Sequence, residues 1–233
     1  MSVREQPTKV KMAIGIDNFR EMREKQNYYV DKTRLIAEYL TAGDKVTLLT
    51  RPRRFGKTLN MSMLAEFFDI TKDSSDIFEG TEIMETKWAD KMNQYPVIAL
   101  SFANARGENA QFLLNQLSGE VRKEYMRYEF LWNEKKLPEA MCRELQRIYD
   151  CMWSWEKKDG FDYLSLSLTG LCTALEWYYG KGVKVFIDEY DTPVMQALIS
   201  GFYQEIRPVF SVMLGSLLKG NASFESAFLT GIQ

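Results

Sequence analysis

Gly56, Lys57 and Thr58 have the residue types and the order that bind phosphate groups, and they lie in the segment TLLTRPRRFGKTLN at residues 47–60. In a turn between a strand and a helix, backbone N–H groups and the helix dipole attract phosphate oxygens, and glycine lets the main chain approach closely. Lys57 would reach the terminal phosphates, and the Thr58 hydroxyl would bind Mg²⁺. The pattern G-x-x-x-x-G-K-[ST] asks for glycine where Arg51 stands, so the sequence predicts a phosphate loop of atypical form.

Arginines are concentrated in this loop, at Arg51, Arg53 and Arg54. Guanidinium groups bind phosphate oxygens through two parallel hydrogen bonds, so their charge would compensate for the missing glycine and for Pro52, which has no N–H. The alternative is a solvated basic surface or a patch that binds nucleic acid. The whole chain has 30 basic and 32 acidic side chains and a net charge of −2, which provides no general attraction to nucleic acid.

An acidic pair, Asp188 and Glu189, follows the apolar residues of the segment VKVFIDEYD. Such a strand end can present one carboxylate to Mg²⁺ and a second to the water that attacks the γ-phosphate. Asp188 is therefore the predicted metal ligand, and Glu189 is the predicted general base. Solvated acids at the end of a strand are the alternative interpretation. A base at this position favours hydrolysis over phosphoryl transfer to a small molecule.

Apolar runs that alternate with helical spacing predict an α/β protein with a mainly parallel sheet, in which ligands bind beyond the carboxyl ends of the strands. We predict a single domain over residues 1–233 with a helical insertion at 108–160. The predicted strands are KVTLLT, YPVIALSFA, VKVFIDEYD and SAFLTGIQ. The predicted helices cover about 32–42, the segment LNMSMLAEFF, a segment from Gly107 through Tyr125, one that begins at Pro138, and 205–219.

Composition narrows the chemistry and the location. Histidine is absent from the sequence, which excludes Ser-His-Asp and Cys-His nucleophile systems. The three cysteines, Cys142, Cys151 and Cys172, form no C-x-x-C pair, so we expect free, buried thiols rather than disulfides or a zinc site. The first residues have no apolar core of signal-peptide length, and no apolar run is long enough to span a bilayer. We therefore expect a cytoplasmic protein with no membrane partner.

Four segments, YYVDKTRLI, LLTRPRRFGKTL, VKVFIDEYD and FLTGI, together resemble the AAA-ATPase-like family of bacterial and archaeal proteins. The resemblance covers nearly the whole chain, and it makes Arg51 a family trait rather than a defect of the loop. It implies a three-layer α/β/α P-loop NTPase fold of the additional-strand, catalytic-glutamate type. The strand order that it implies is 5-1-4-3-2, with KVTLLT as strand 1.

The same resemblance implies ATP and Mg²⁺ as cofactors and assigns roles to individual residues. Thr58 and Asp188 would bind the metal, and Lys57, Glu189 and Thr230 would be catalytic, with Thr230 between the γ-phosphate and water. A buried threonine in a strand is the alternative for Thr230. The predicted nucleotide-binding residues are Arg53, Arg54, Phe55, Gly56, Lys57, Thr58 and Leu59.

Two further segments have a possible nucleotide role. Asp31, Lys32 and Thr33 match a signature of the family, although Asp31 as a helix N-cap also explains them. From the way in which related folds bind nucleotide, the adenine base is expected near the segment AIGIDNF, against Ile16 or Phe19.

Longer members of the family continue past the FLTGI strand into more of the ATPase and then into a nuclease-like domain of the PD-(D/E)XK type. Strand 5, a second sensor and an arginine finger would therefore lie beyond Gln233, and the downstream domain is one possible partner.

Three functions remain open. The first is Mg²⁺-dependent hydrolysis of the β-γ phosphoanhydride bond of ATP. The second is a nucleotide-controlled interaction module with 108–160 as its partner surface, and the third is nucleic-acid binding through the basic loop.

Overall fold

Four short apolar segments form one sheet in the computed structural model, which describes residues 15–52, 54–152 and 160–232. The strands are β1 (Val46–Thr50), β2 (Val97–Ser101), β3 (Val183–Asp188) and β4 (Phe224–Gly231). Their order in the sheet is β1-β4-β3-β2, and every neighbouring pair is parallel. The register pairs Thr50 with Gly231 and Ser101 with Asp188, so the carboxyl ends of the four strands lie along one edge.

Both faces of the sheet are covered, which explains why all six residues of β3 are buried. Successive side chains of a strand point to opposite faces. Phe186 and Phe228 accordingly pack in one hydrophobic core, while Val185 and Leu229 pack in the other. This arrangement makes the fold a three-layer α/β/α sandwich.

Helices α1 to α4 supply the layer that contains Phe186, and α5 to α10 supply the opposite layer. No helix among the described residues is both long and apolar enough to cross a membrane. The helices are α1 (Phe19–Glu24), α2 (Arg34–Ala42), α3 (Lys57–Phe68), α4 (Ser75–Phe78), α5 (Ala110–Arg127), α6 (Phe130–Asn133), α7 (Glu139–Cys151), α8 (Gly160–Tyr179), α9 (Thr192–Ser200) and α10 (Tyr203–Leu218).

The four predicted strands and the predicted helices correspond to observed elements, with ends that differ by a few residues. The sequence analysis does not predict α1, α4, α6, α8 or α9. All of these except the 20-residue α8 are short, and a short helix gives little periodic signal. Cys142 and Cys172 are buried free thiols, as expected, while Cys151 is only half-buried.

The proposed helical insertion at 108–160 includes α5, which packs directly on β2 and so covers the sheet. Helix α7 lies further out and packs on α8. The limits of an insertion therefore stay a prediction, and residues 153–159 lie outside the described part of the chain.

A buried carboxylate fixes α3, the helix that follows the predicted phosphate loop. Glu66 is almost fully buried and accepts hydrogen bonds from Arg20 at 2.5 Å, Lys72 at 2.7 Å and Ser74 at 2.8 Å. Burial alone would raise the pKa of Glu66, but the hydrogen bonds from Lys72 and Arg20 outweigh it and hold the pKa below its usual value. The ionised Glu66 thereby ties α1 and the turn after α3 to the helix.

A second buried charge lies at the amino ends of the strands, away from the loop. The Lys184 ammonium donates to Ser226 Oγ at 2.9 Å and lies 4.6 Å from the ring centre of Tyr95 and 4.8 Å from that of Phe68. Tyr39 also donates to Ser226 Oγ, at 2.6 Å. Burial lowers the pKa of Lys184 to about 8.

This lowered pKa predicts a specific dependence of stability on pH. Between about pH 8 and about pH 10 the unfolded chain binds more protons at Lys184 than the folded chain does, so the contribution of Lys184 to stability rises with pH. We expect the unfolding free energy of the parent, relative to a Lys184→Met variant, to increase by roughly 1–3 kcal/mol across this window. Tyr39 stays protonated there, because burial raises its pKa to about 12.

Urea denaturation of both proteins at several pH values measures this difference in unfolding free energy. Subtracting the value of the variant from that of the parent removes the contribution of the titrating groups that both proteins share. If the unfolding free energies of parent and variant change in parallel with pH, Lys184 has the same pKa in the folded and the unfolded chain, and the prediction is wrong.

Candidate functional site

The phosphate-loop candidate joins the carboxyl end of β1 to the first residue of α3. Gly56, directly before the helix, has φ +73°, a left-handed conformation that glycine adopts without steric cost. Arg54 has φ +69°, which strains a residue with a side chain by about 1–2 kcal/mol. The first N–H groups of α3 have no acceptor within the helix, and they are available to an anion at this turn.

Lys57 is 7% exposed, and its ammonium donates to the carbonyl oxygen of Arg51 at 2.6 Å. The charged group is therefore held against the main chain of the loop itself. Arg54 and Phe55 are exposed to solvent, and Leu59 is partly buried against the core beside α3. Arg53, a predicted nucleotide-binding residue, lies outside the described part of the chain.

Thr58 meets Asp188 across the carboxyl edge of the sheet. Its Oγ1 donates to Asp188 Oδ2 at 2.7 Å, although the two residues are 130 positions apart. Asp188 ends β3, and Thr58 lies in the first turn of α3. The tertiary structure thus brings together the two residues that the sequence predicts as metal ligands.

Thr230 contacts both the Asp188 carboxylate and the backbone of Glu189. Its hydroxyl donates to Asp188 Oδ1 and accepts from the Glu189 N–H at 3.2 Å. Thr230 is fully buried in β4, the strand between β1 and β3. In this structure the Thr230 hydroxyl orients Asp188. Its contact with the water that attacks the γ-phosphate stays a prediction.

Glu189 begins the turn after β3 with φ +50°, a left-handed conformation that is uncommon for a residue with a side chain. Its Oε2 accepts a hydrogen bond from Thr192 Oγ1 at 3.0 Å. The backbone of the next residue, Tyr190, donates to the Thr230 carbonyl at 3.0 Å. These contacts hold the Glu189 carboxylate beside the ends of β3 and β4.

Asp191, which the sequence analysis does not single out, also lies at this edge. Its Oδ2 accepts from the Ile232 N–H at 2.9 Å, while Oδ1 is buried without a hydrogen-bond partner in the described structure. A Cβ on Gly231 would lie 2.9 Å from Tyr190 Cε1 and 3.1 Å from Asp191 Oδ1, so a larger residue there would require both side chains to shift. The sequence feature that could have indicated Asp191 is its position as the third acidic residue of the IDEYD segment.

The Asp31 segment differs from the helix-cap interpretation. Thr33, rather than Asp31, is the residue before α2, and it makes no side-chain cap bond. Asp31 accepts from the backbone N–H groups of Thr33 and Glu82, each at 2.8 Å. Asp31 thus ties the start of α2 to the segment at Glu82–Glu85, a short 3₁₀ helix.

The expectation that an adenine base lies against Ile16 or Phe19 finds no exposed surface at Phe19. Phe19 is fully buried and packs against Tyr29 and Phe78, with ring centres 5.3 and 5.0 Å away. Its role is to anchor α1 on α3. Ile16, the other residue expected near the base, is half-buried.

The fold and the paired motifs define a class of protein: a parallel α/β protein whose Gly-Lys-Thr turn, after β1, faces the aspartate at the end of β3, with β4 between these two strands. The chain belongs to the AAA-ATPase-like family, because the model of that family, described as predicted AAA-ATPase, matches residues 13–233. Membership assigns it at a coarse level to the nucleotide-binding NTPases.

One relative is an "Uncharacterized protein in vnfD 5'region" from Azotobacter chroococcum mcd 1, which is 27% identical over 224 residues. The match covers 95% of this chain and 37% of that relative, so the chain spans little more than a third of the relative's length. No solved structure matches the chain.

Proposed function

We propose that this chain is a module that binds ATP with Mg²⁺ and hydrolyses the β-γ phosphoanhydride bond. The observation that carries the proposal is the 2.7 Å hydrogen bond between Thr58 and Asp188. It joins the predicted phosphate loop to the acidic end of a different strand, and a loop threonine with such an aspartate is the pair that holds Mg²⁺ in P-loop NTPases. The observed order β1-β4-β3-β2, with Glu189 directly after β3, supports the additional-strand, catalytic-glutamate type of sheet.

The residues present fit a magnesium ion. Thr58 and Asp188 offer a hydroxyl and a carboxylate, the oxygen ligands that Mg²⁺ prefers, and Thr230 orients the carboxylate. When bound, the ion would neutralise charge on the β- and γ-phosphates. Asp188 is 1% exposed, so its charge is poorly screened by solvent and would interact strongly with a cation.

The chain's own residues divide the remaining tasks. Lys57 leaves the Arg51 carbonyl and binds terminal phosphate oxygens, while the N–H groups at the start of α3 hold the phosphate chain. Glu189 takes a proton from a water whose oxygen bonds to the γ-phosphorus. The bond from that phosphorus to the bridging oxygen breaks, so the products are ADP and inorganic phosphate.

A second function, a nucleotide-controlled interaction module with little hydrolysis, is favoured by the surface of α9. This helix begins at Thr192, which bonds to Glu189, and it exposes the apolar residues Met195, Leu198 and Ile199, the last at 80%. Gln196 and Ser200 of α9 share a cavity with Phe112, which lies in the predicted partner surface at 108–160. A conformational change at Glu189 on nucleotide binding would therefore be transmitted through Thr192 to the exposed apolar surface of α9.

Isothermal titration calorimetry with ATP, with and without Mg²⁺, tests the proposal. We expect saturable binding that weakens at least about tenfold when a chelator removes the metal, because the metal shields phosphate charge from Asp188. A parallel assay of phosphate release separates the two functions. Binding without release favours the interaction module, and no binding in either condition contradicts both.

A further inference from the structure

A cavity of about 370 Å³ adjoins the phosphate loop, and we call it the edge cavity. It is open to solvent on one side and is lined by α2 and the residue Lys32 before it, by β1, by the loop and by the first turn of α3. Its lining includes Lys32, Leu35, Leu49, Arg51, Phe55 and Asn60. Its volume is within the range of pockets that bind small organic ligands.

The edge cavity lies on the other side of the loop from the acidic pair. Thr58 and Asn60 are two residues apart on α3, so their side chains point about 200° apart around the helix axis. Thr58 faces Asp188, and Asn60 faces the edge cavity. A phosphate chain that lies over the loop, with its terminal phosphate near Asp188, would therefore have its other end near the edge cavity.

Lys32 lies where that other end of the phosphate chain would pass. Its ammonium is 3.8 Å from the position of a Cβ built on Gly56, so it is adjacent to the main chain of the loop. The Lys32 side chain is exposed, and its ammonium makes no hydrogen bond or ion pair within the described residues, whereas its backbone N–H donates to the Tyr29 hydroxyl at 3.0 Å. A lysine whose ammonium has no bonded partner among the described residues, beside a turn predicted to bind an anion, is suited to bind a ligand phosphate.

The backbone at Lys32 is fixed from both sides. Asp31 accepts from Thr33 N–H and from Glu82 N–H, and the Thr33 hydroxyl accepts from the Ile83 N–H at 3.1 Å. Thr33 is fully buried. The conformational entropy that Lys32 would lose on binding is therefore limited mainly to its own side chain.

We propose that the edge cavity receives the nucleoside part of the bound nucleotide, and that Lys32 binds the phosphate nearest the nucleoside. Leu35, Leu49 and Phe55 provide apolar contacts for a base, while Glu38 and Asn60 provide polar groups for the sugar or the base edge. Lys32 and Lys57 then neutralise opposite ends of one phosphate chain. This inference rests on the proposed nucleotide-binding function.

Calorimetric titration of the parent, Lys32→Ala and Leu35→Trp with ATP and with inorganic tripolyphosphate tests the assignment. We expect Lys32→Ala to weaken ATP binding about tenfold, because one charged phosphate contact is lost. Leu35→Trp, which fills the edge cavity, should weaken ATP binding at least about tenfold and leave tripolyphosphate binding within about twofold. Lys123→Ala, which removes an exposed charge on α5, is the matched control and should change neither.

The outcomes separate this inference from the function on which it rests. If the parent binds ATP and Lys32→Ala binds it equally well, the role of Lys32 is refuted while the ATPase proposal stands. If Leu35→Trp, shown to be folded by circular dichroism, weakens both ligands or neither, the nucleoside does not occupy the edge cavity. If the parent binds no ATP, both proposals are refuted.

Discussion

Replacing Lys57 with alanine is expected to weaken the binding of ATP with Mg²⁺ by at least about 100-fold, which is the largest effect on affinity that we predict. The ammonium is buried against the loop and is the charge closest to the terminal phosphates in the proposed complex. Without it, the loop retains its backbone N–H groups and its arginines but loses the buried ammonium. Calorimetry on the purified parent and variant measures the change.

Lys123→Ala is also the control for Lys57→Ala, since it removes one positive charge on α5, a helix of the layer opposite to that of α3. The Lys57 variant must first show the thermal unfolding midpoint of the parent within a few degrees, because Lys57 also bonds to Arg51 within the loop. A folded Lys57→Ala protein with parental affinity for ATP would be incompatible with a phosphate loop at this turn.

Replacing Glu189 with glutamine is expected to lower the rate of ATP hydrolysis by about 100-fold or more while ATP affinity changes less than about threefold. The amide cannot accept the proton of the attacking water as a carboxylate does. It can still accept the hydrogen bond from Thr192, so the turn after β3 should keep its geometry. Single-turnover phosphate release, together with calorimetry, separates the chemical step from binding.

Glu205→Gln is a suitable control, because it makes the same chemical change in the first turn of α10. If Glu189→Gln hydrolyses ATP at the parental rate, another group acts as the base. Asp191, which has one carboxylate oxygen without a hydrogen bond in the described structure, would be the first candidate. A loss of both binding and turnover would instead assign Glu189 a part in positioning the loop.

The candidate site was predictable to the extent that its residues form short, contiguous motifs. Gly56, Lys57 and Thr58 suggest phosphate and metal contacts through their types and order, and the acids after an apolar strand suggest their partners. Lys32 was not predictable in the same way, because its distance from Gly56 depends on how α2 packs beside the loop. The burial of Phe19 likewise depends on the packing of α1 against α3 and α4, which no local pattern reports.

The sequence by itself determined the elements and their chemical groups, since strand and helix formation depend on hydrophobic periodicity and on turn residues close along the chain. It also determined that one loop carries phosphate-binding residue types and that one strand ends in acids. Only the tertiary structure decided which strands are neighbours. It placed β4 between β1 and β3, so that the Thr230 hydroxyl lies between Asp188 and Glu189 while Thr58 reaches Asp188. The physical reason is that strand order results from burying both faces of the sheet under two helical layers, and this packing involves the whole chain.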